Sequence, residues 1–287
     1  MTIAVGFCFE GGILLGADSQ YETYTMRTYG AKMGFFESGK SVVAFALAGH
    51  SRFAWSAINK CQEKLGGPIQ KQHLASEIET ILENEYRRNV LTHPAATTDP
   101  TIHYNCLIAI CIPGKSISLY STHETAMNPV AEYECIGIGE SLAQFLIGPS
   151  RTIKRFSDED ALTLAAQVLD ATKIHVPGCG GHSMVLVLRT DGTVDFMAAP
   201  AVEHLEKHLK SFDDEVRKLA LSFGEFSRRG EFDGDLQRFN ENVRASLHDW
   251  EKAATPENLK RTFLRVRDPN STKPTDPRDP GSTTTDL

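Results

Sequence analysis

Thr2, Asp18 and Lys32 are the side chains of this chain whose types and spacing could do chemistry together. A threonine hydroxyl is a weak nucleophile that needs a neighbouring base. A free α-amine, with a reference pKa of about 7.7–8.0, is partly neutral near neutral pH and can serve as that base. Met1 precedes a small residue, the situation in which an initiator methionine is commonly trimmed. Trimming would place nucleophile and base on one residue, Thr2, with no separate histidine required. A Lys32 cation nearby is expected to depress the pKa of the amine and hydroxyl, with Asp18 holding the cation in place. The chemistry such a group would do is nucleophilic catalysis through an ester on Thr2.

Two hairpins must position these groups. Ile3, Val5, Phe7 and Phe9 alternate with Thr2, Ala4, Gly6 and Cys8, the period of a half-buried strand. Glu10-Gly11-Gly12 is a tight turn, and the run Ile13 to Ala17 returns Asp18 to the level of Thr2. Lys32 opens a second hairpin with arms Lys32–Phe36 and Ser41–Ala48. That hairpin delivers Ala48-Gly49 to a helix near Ser51, with Phe53, Ala54, Ala57, Ile58, Cys61 and Leu65 at helical spacing. The polar stretch Gln20 to Tyr29 between the hairpins is expected to be a loop on the substrate side.

Further along, the spacing predicts a helix over Gln72–Asn89, strands over His103–Ile112, Ser116–Tyr120 and Tyr133–Ile138, and a short helix from Glu140 to Ile147. Ser157-Asp158-Glu159-Asp160 is a capping-box-like start for a helix over Ala161–Ile174, and a hairpin of Ser183–Leu188 and Thr193–Ala198 follows. Adjacent helices between strand hairpins indicate a layered α/β (α+β) protein and not alternating βαβ units.

The residues Thr2 to Ser19, the lysine after them, and Phe45-Ala46-Leu47-Ala48-Gly49-His50-Ser51-Arg52-Phe53-Ala54 resemble the opening of proteasome β-type subunits and their bacterial threonine-protease relatives, which are N-terminal-nucleophile hydrolases. The Thr-to-Asp interval (18 − 2 = 16) matches that family without a gap, whereas Asp18 to Lys32 is two residues shorter than usual. The resemblance, which covers roughly residues 2–200, implies a four-layer α-β-β-α sandwich. It implies Thr2 as nucleophile, Asp18 and Lys32 tuning it, and the Gly49 backbone N–H as oxyanion hole. Tyr21, Leu47 and Ser51 are expected to help line a mildly apolar substrate pocket. It further implies a ring-shaped homo-oligomer, a peptide or unfolded-protein substrate, an ATP-driven unfoldase as partner, and no metal or organic cofactor.

The departures fall around the terminal amine. Ile138 stands at a serine position of the family, Cys179 at another, and Val176 at an aspartate position, with His175 beside it as the candidate to take over the aspartate's part in holding the amine. A catalytically inactive ring or scaffold subunit is therefore the alternative reading.

Residues 1–200 are expected to form the sandwich domain, 201–265 a helical extension and 266–287 a disordered tail rich in Pro, Asp and Thr. Within the extension, helices are expected over Val202–Phe223 and Asp235–Trp250. A net charge of −7, from 30 basic and 37 acidic residues, argues against nucleic acid and anionic membrane surfaces as partners. No apolar run is long enough to span a bilayer and no leader is evident, so a cytoplasmic location is expected. The six cysteines lack C-x-x-C spacing and are expected to be reduced. His204 and His208 lie one turn apart on a helix, which is expected to be a solvated face and not a metal site.

Overall fold

The computed structural model describes residues 2–22, 26–69, 73–149, 156–224, 234, 236–245, 248 and 263–267. The opening hairpin is β1 (Ile3–Phe9) and β2 (Gly12–Asp18), in which Ala4 faces Ala17 and Phe9 faces Gly12. The polar stretch after it is not an open loop. Its described residues pair as β3 (Gln20–Glu22) and β4 (Arg27–Tyr29). The second hairpin is β5 (Met33–Ser38) and β6 (Ser41–Gly49), followed by α1 (Ser51–Leu65), which His50 caps by accepting from Phe53 N–H.

Next come α2 (Leu74–Tyr86), continued by a π-helical turn over Arg87–Leu91, then β7 (Tyr104–Ile112), β8 (Ser116–His123) and β9 (Ala126–Val130). After β10 (Tyr133–Gly137) the chain forms α3 (Glu140–Ile147) and α4 (Asp158–His175). The Ser157/Asp160 capping box at the start of α4 has both of its reciprocal bonds. The hairpin β11 (Ser183–Arg189) and β12 (Val194–Met197) leads into α5 (Ala199–Gly224), and β13 (Phe263–Arg267) adds a further strand. The residues described at 234, 236–245 and 248 are helical, while the other residues of the helix expected to Trp250 and the tail from 268 lie outside the described residues.

All strands pair antiparallel, in a six-stranded sheet ordered β10-β1-β2-β11-β12-β13, a five-stranded sheet ordered β5-β6-β7-β8-β9, and the small β3-β4 pair. The period-2 pattern explains how these sheets share their apolar residues. On β2, Ile13, Leu15 and Ala17 meet Ala44, Ala46 and Leu107 of the five-stranded sheet, whereas Leu14 belongs to the core under α4 with Leu169 and Val187. On β6, Val43, Phe45 and Leu47 turn the other way, into a third core with α1 and α2. Among the described residues no helix is long and apolar enough to cross a membrane.

Candidate active site

The two hairpins bring Thr2, Asp18 and Lys32 into one buried cluster. Thr2 immediately precedes β1, and its carbonyl accepts from Ile138 N–H at 2.9 Å. That approach requires glycine at the end of β10, because Gly137 has φ +104° and a Cβ there would come within 2.2 Å of the Thr2 oxygen. Asp18 closes β2 with 0% exposure, and both of its carboxylate oxygens are used. Oδ1 accepts from Ile3 N–H at 3.2 Å and from Lys32 Nζ at 2.8 Å, and Oδ2 accepts from Gly180 N–H at 2.9 Å.

Lys32 sits at the entry to β5, where its carbonyl accepts from Leu47 N–H of β6 at 2.8 Å. Its Nζ donates to Thr2 Oγ1 as well as to Asp18. The side chain is 1% exposed, and burial pushes the ammonium below the ordinary lysine pKa while the Asp18 charge pulls the other way. A lysine with a lowered pKa that touches a hydroxyl can polarise that hydroxyl and stabilise the oxyanion it becomes.

Tyr21 on β3 covers this lysine, with its ring centroid 5.0 Å from Nζ, a distance that permits a cation–π contact. Its hydroxyl donates to Ala31 O at 2.5 Å and accepts from Trp55 Nε1 at 3.3 Å. Trp55 is on α1 and was not singled out in the sequence, where it stands as one aromatic on a helix face. Leu47 is buried in the core under α1 and α2, and Ser51, the first residue of α1, is half-buried.

Gly49 ends β6 at φ +89°, and a Cβ there would lie 2.3 Å from the His103 carbonyl oxygen. Backbone on backbone cannot yield cheaply. Gly49→Ala is therefore expected to cost about 1–3 kcal/mol of stability, read as a lower urea midpoint at unchanged slope.

Around the Thr2 end the residues that depart from the resemblance take other roles. Ile138 contributes its backbone N–H to Thr2, but its side chain is 49% exposed and carries no hydrogen-bonding group. Cys179 is buried, and desolvation pushes its thiol up to about 12, which leaves it protonated and unreactive near neutral pH. His175 is exposed at the C-terminal end of α4.

Two contacts were not legible in the sequence. One is the Gly180 N–H on Asp18, from a loop 162 residues away. The other is Glu206 of α5, which accepts from Ser183 Oγ and from Lys173 Nζ. His204 and His208 do face each other, Nε2 to Nε2 at 3.0 Å, but among the described residues no three His, Cys, Asp or Glu side chains are grouped to hold a metal ion.

No family model and no curated protein matches this chain. Its fold is similar to that of Anbu (ancestral beta-subunit) from Yersinia bercovieri, at a TM-score of 0.61 and 16% identity over 78% of this chain and 97% of that one. It is likewise similar to an Anbu (Gly-1) mutant from Hyphomicrobium sp. strain MC1, at a TM-score of 0.60 and 16% identity over 78% of this chain and 100% of that one. The helical assembly of the Anbu complex from Pseudomonas aeruginosa gives a TM-score of 0.62 and 14% identity over 75% and 96%. These findings correct the expectation that the chain is a bacterial proteasome-like β-type subunit, because without a family match, identities of 14–16% establish a shared fold and not membership. The chain has the mixed α/β fold of the Anbu proteins.

Proposed function

We propose that this chain is a threonine-type endopeptidase, an amide-bond hydrolase acting from Thr2 once Met1 has been removed. The observation that carries this reading is the buried Lys32 ammonium bonded to both Thr2 Oγ1 and Asp18 Oδ1. Stability does not account for it. A well-packed apolar pair of similar volume serves a core as well as or better than a buried ion pair. An ammonium aimed at a hydroxyl beside the chain terminus is what a terminal nucleophile needs.

In this mechanism Thr2 Oγ1 attacks the scissile carbonyl carbon and its proton passes to the Thr2 α-amine. Lys32 stabilises the oxygen as it loses the proton, and Asp18 holds Lys32. The Gly49 N–H donates to the carbonyl oxyanion, a contribution of about 10²–10³ in rate. Collapse breaks the C–N bond, the leaving amine takes up the proton, and water hydrolyses the remaining ester. Tyr21 and Ser51 border the substrate, and Leu47 supports them from the core. The substrate is a peptide or unfolded protein, delivered by an ATP-driven unfoldase to a cytoplasmic homo-oligomer.

The three stacked cores support a four-layer α-β-β-α sandwich over residues 1–200, with α5 beginning a helical extension. The helical assembly described for an Anbu complex supports association of copies of this chain. A β-lactone probe tests the reading. Oγ1 adds to the lactone carbonyl, the ring C–O bond opens and the alkoxide takes the proton. An adduct on the peptide that begins at Thr2 is the expected result, and an unlabelled free Thr2 would reject the mechanism.

The exposed Ile138 side chain favours a second reading, a non-catalytic scaffold subunit, because no hydroxyl stands there to orient the amine. A chain that assembles yet neither labels nor cleaves peptides would support it.

A further inference from the structure

The first two turns of α5 reach a loop that touches the proposed site. Residues 178–182 lie between α4 and β11, and β2 and β3 hold them from one side. Gly180 N–H donates to Asp18 Oδ2 at 2.9 Å, Gln20 N–H donates to Gly180 O at 3.0 Å, and His182 N–H donates to Ser19 Oγ at 2.8 Å. From the other side α5 holds them. Glu203 Oε1 lies 2.6 Å from His182 Nδ1 at the surface. Beneath it, Glu206 accepts from Ser183 Oγ and, through both oxygens, from Lys173 Nζ of α4 at 2.7 and 2.8 Å.

Ser183 is the first residue of β11 and the register partner of Asp18. The Glu206 bond therefore fixes the strand end from which the Gly180 loop departs. The Lys173 and Glu206 side chains are 13% and 7% exposed, and docking α5 does not require them, because Val202 and Leu205 on the same turns are already buried. A buried ion pair is weak support for stability, while fixing one arrangement among several is a use such pairs do have.

We infer that Glu206 is a positioning residue for the Asp18–Lys32 pair, acting through Ser183 and the loop that presents the Gly180 N–H. The inference rests on the proposed hydrolase function for its kinetic consequence and on geometry alone for its structural one. α5 is thereby part of the site's scaffold. Loosening the loop frees one oxygen of Asp18, and with it the placement of Lys32 against Thr2 Oγ1.

The test is the full-length double variant Glu206→Ala/Lys173→Met, which removes both charges and leaves no unpaired ammonium buried. Ser183→Ala is the second variant, since it cuts only the link to β11. Hydrogen exchange is followed in residues 178–183 and, as reference, in residues 13–17 of β2. Both variants are expected to speed exchange in 178–183 by about tenfold while 13–17 stays unchanged. Peptide turnover is expected to fall about tenfold or more in kcat, with KM held within about twofold. Unchanged exchange in 178–183, or equal acceleration in both segments, would overturn the positioning role and leave Glu206 as a general stitch. The exchange result stands whether or not the wild-type chain cleaves peptides, so an inactive wild type counts against the hydrolase reading and not against the placement of the loop.

Discussion

Thr2→Ala is expected to reduce peptide turnover to the uncatalysed background and to leave the fold intact. The side chain is buried, so alanine fits the space, and the hydroxyl accepts from Lys32 Nζ. Lys32 keeps its bond to Asp18 in the variant, which limits the stability cost to about 1–2 kcal/mol. No nearby thiol can substitute as nucleophile, because the Cys179 sulfur is buried and its pKa is pushed up to about 12. Thr2→Ser, which keeps the hydroxyl and the amine, is expected to retain activity. The check is a panel of fluorogenic peptides run beside urea denaturation. Turnover in Thr2→Ala above about one part in a hundred of wild type would place the nucleophile elsewhere, since loss of an attacking group costs far more than that.

Lys32→Met is expected to lower turnover by about 10³-fold, the upper end for loss of one preorganised electrostatic group. Here fold and chemistry must be separated. Removing the lysine alone leaves the Asp18 carboxylate buried without its cation, and breaking such a pair typically costs about 3–5 kcal/mol. The Ile3 and Gly180 N–H groups on Asp18 keep the loss toward the lower end of that range. Lys32→Met/Asp18→Asn removes both charges while the amide oxygen can still accept from a backbone N–H, and is expected to recover part of the stability while turnover stays at the single variant's level. Circular dichroism melts and peptide turnover on the same preparations check this. A double variant that regained activity with stability would mean that Lys32 serves only as structural filling.

What the sequence disclosed followed how local each feature is. The β1–β2 hairpin is written in seven residues of alternation and a Gly-Gly turn, and it alone places Asp18 beside Thr2. The interval from Asp18 to Lys32 is two residues short of the resemblance, yet Nζ still reaches Oδ1 at 2.8 Å, because the β3–β4 pair takes up the stretch between them. The capping box of α4 was equally legible.

Edge strands were not. β9 contains Pro129 and is largely exposed, so it lacks the alternation that marks a half-buried strand, and β13 joins β12 from nearly seventy residues away. Gly180 and Glu206 were unreadable for a related reason: their partners are set by tertiary packing between α5, β11 and β2, and no spacing encodes that. The family reading failed at the same boundary. A short motif in the right order specified a fold shared with the Anbu proteins, and it did not specify membership in the proteasome β-type family.

Catalysis from Thr2 as proposed needs a free amine there, and the mass of the N-terminal peptide reads that requirement out. Protein expressed in a bacterial cytoplasm is digested and the first peptide weighed. A peptide that begins with unblocked Thr2 is the expected result. Met1 retained on essentially every chain would contradict it, because the hydroxyl held by Lys32 would then have no terminal base.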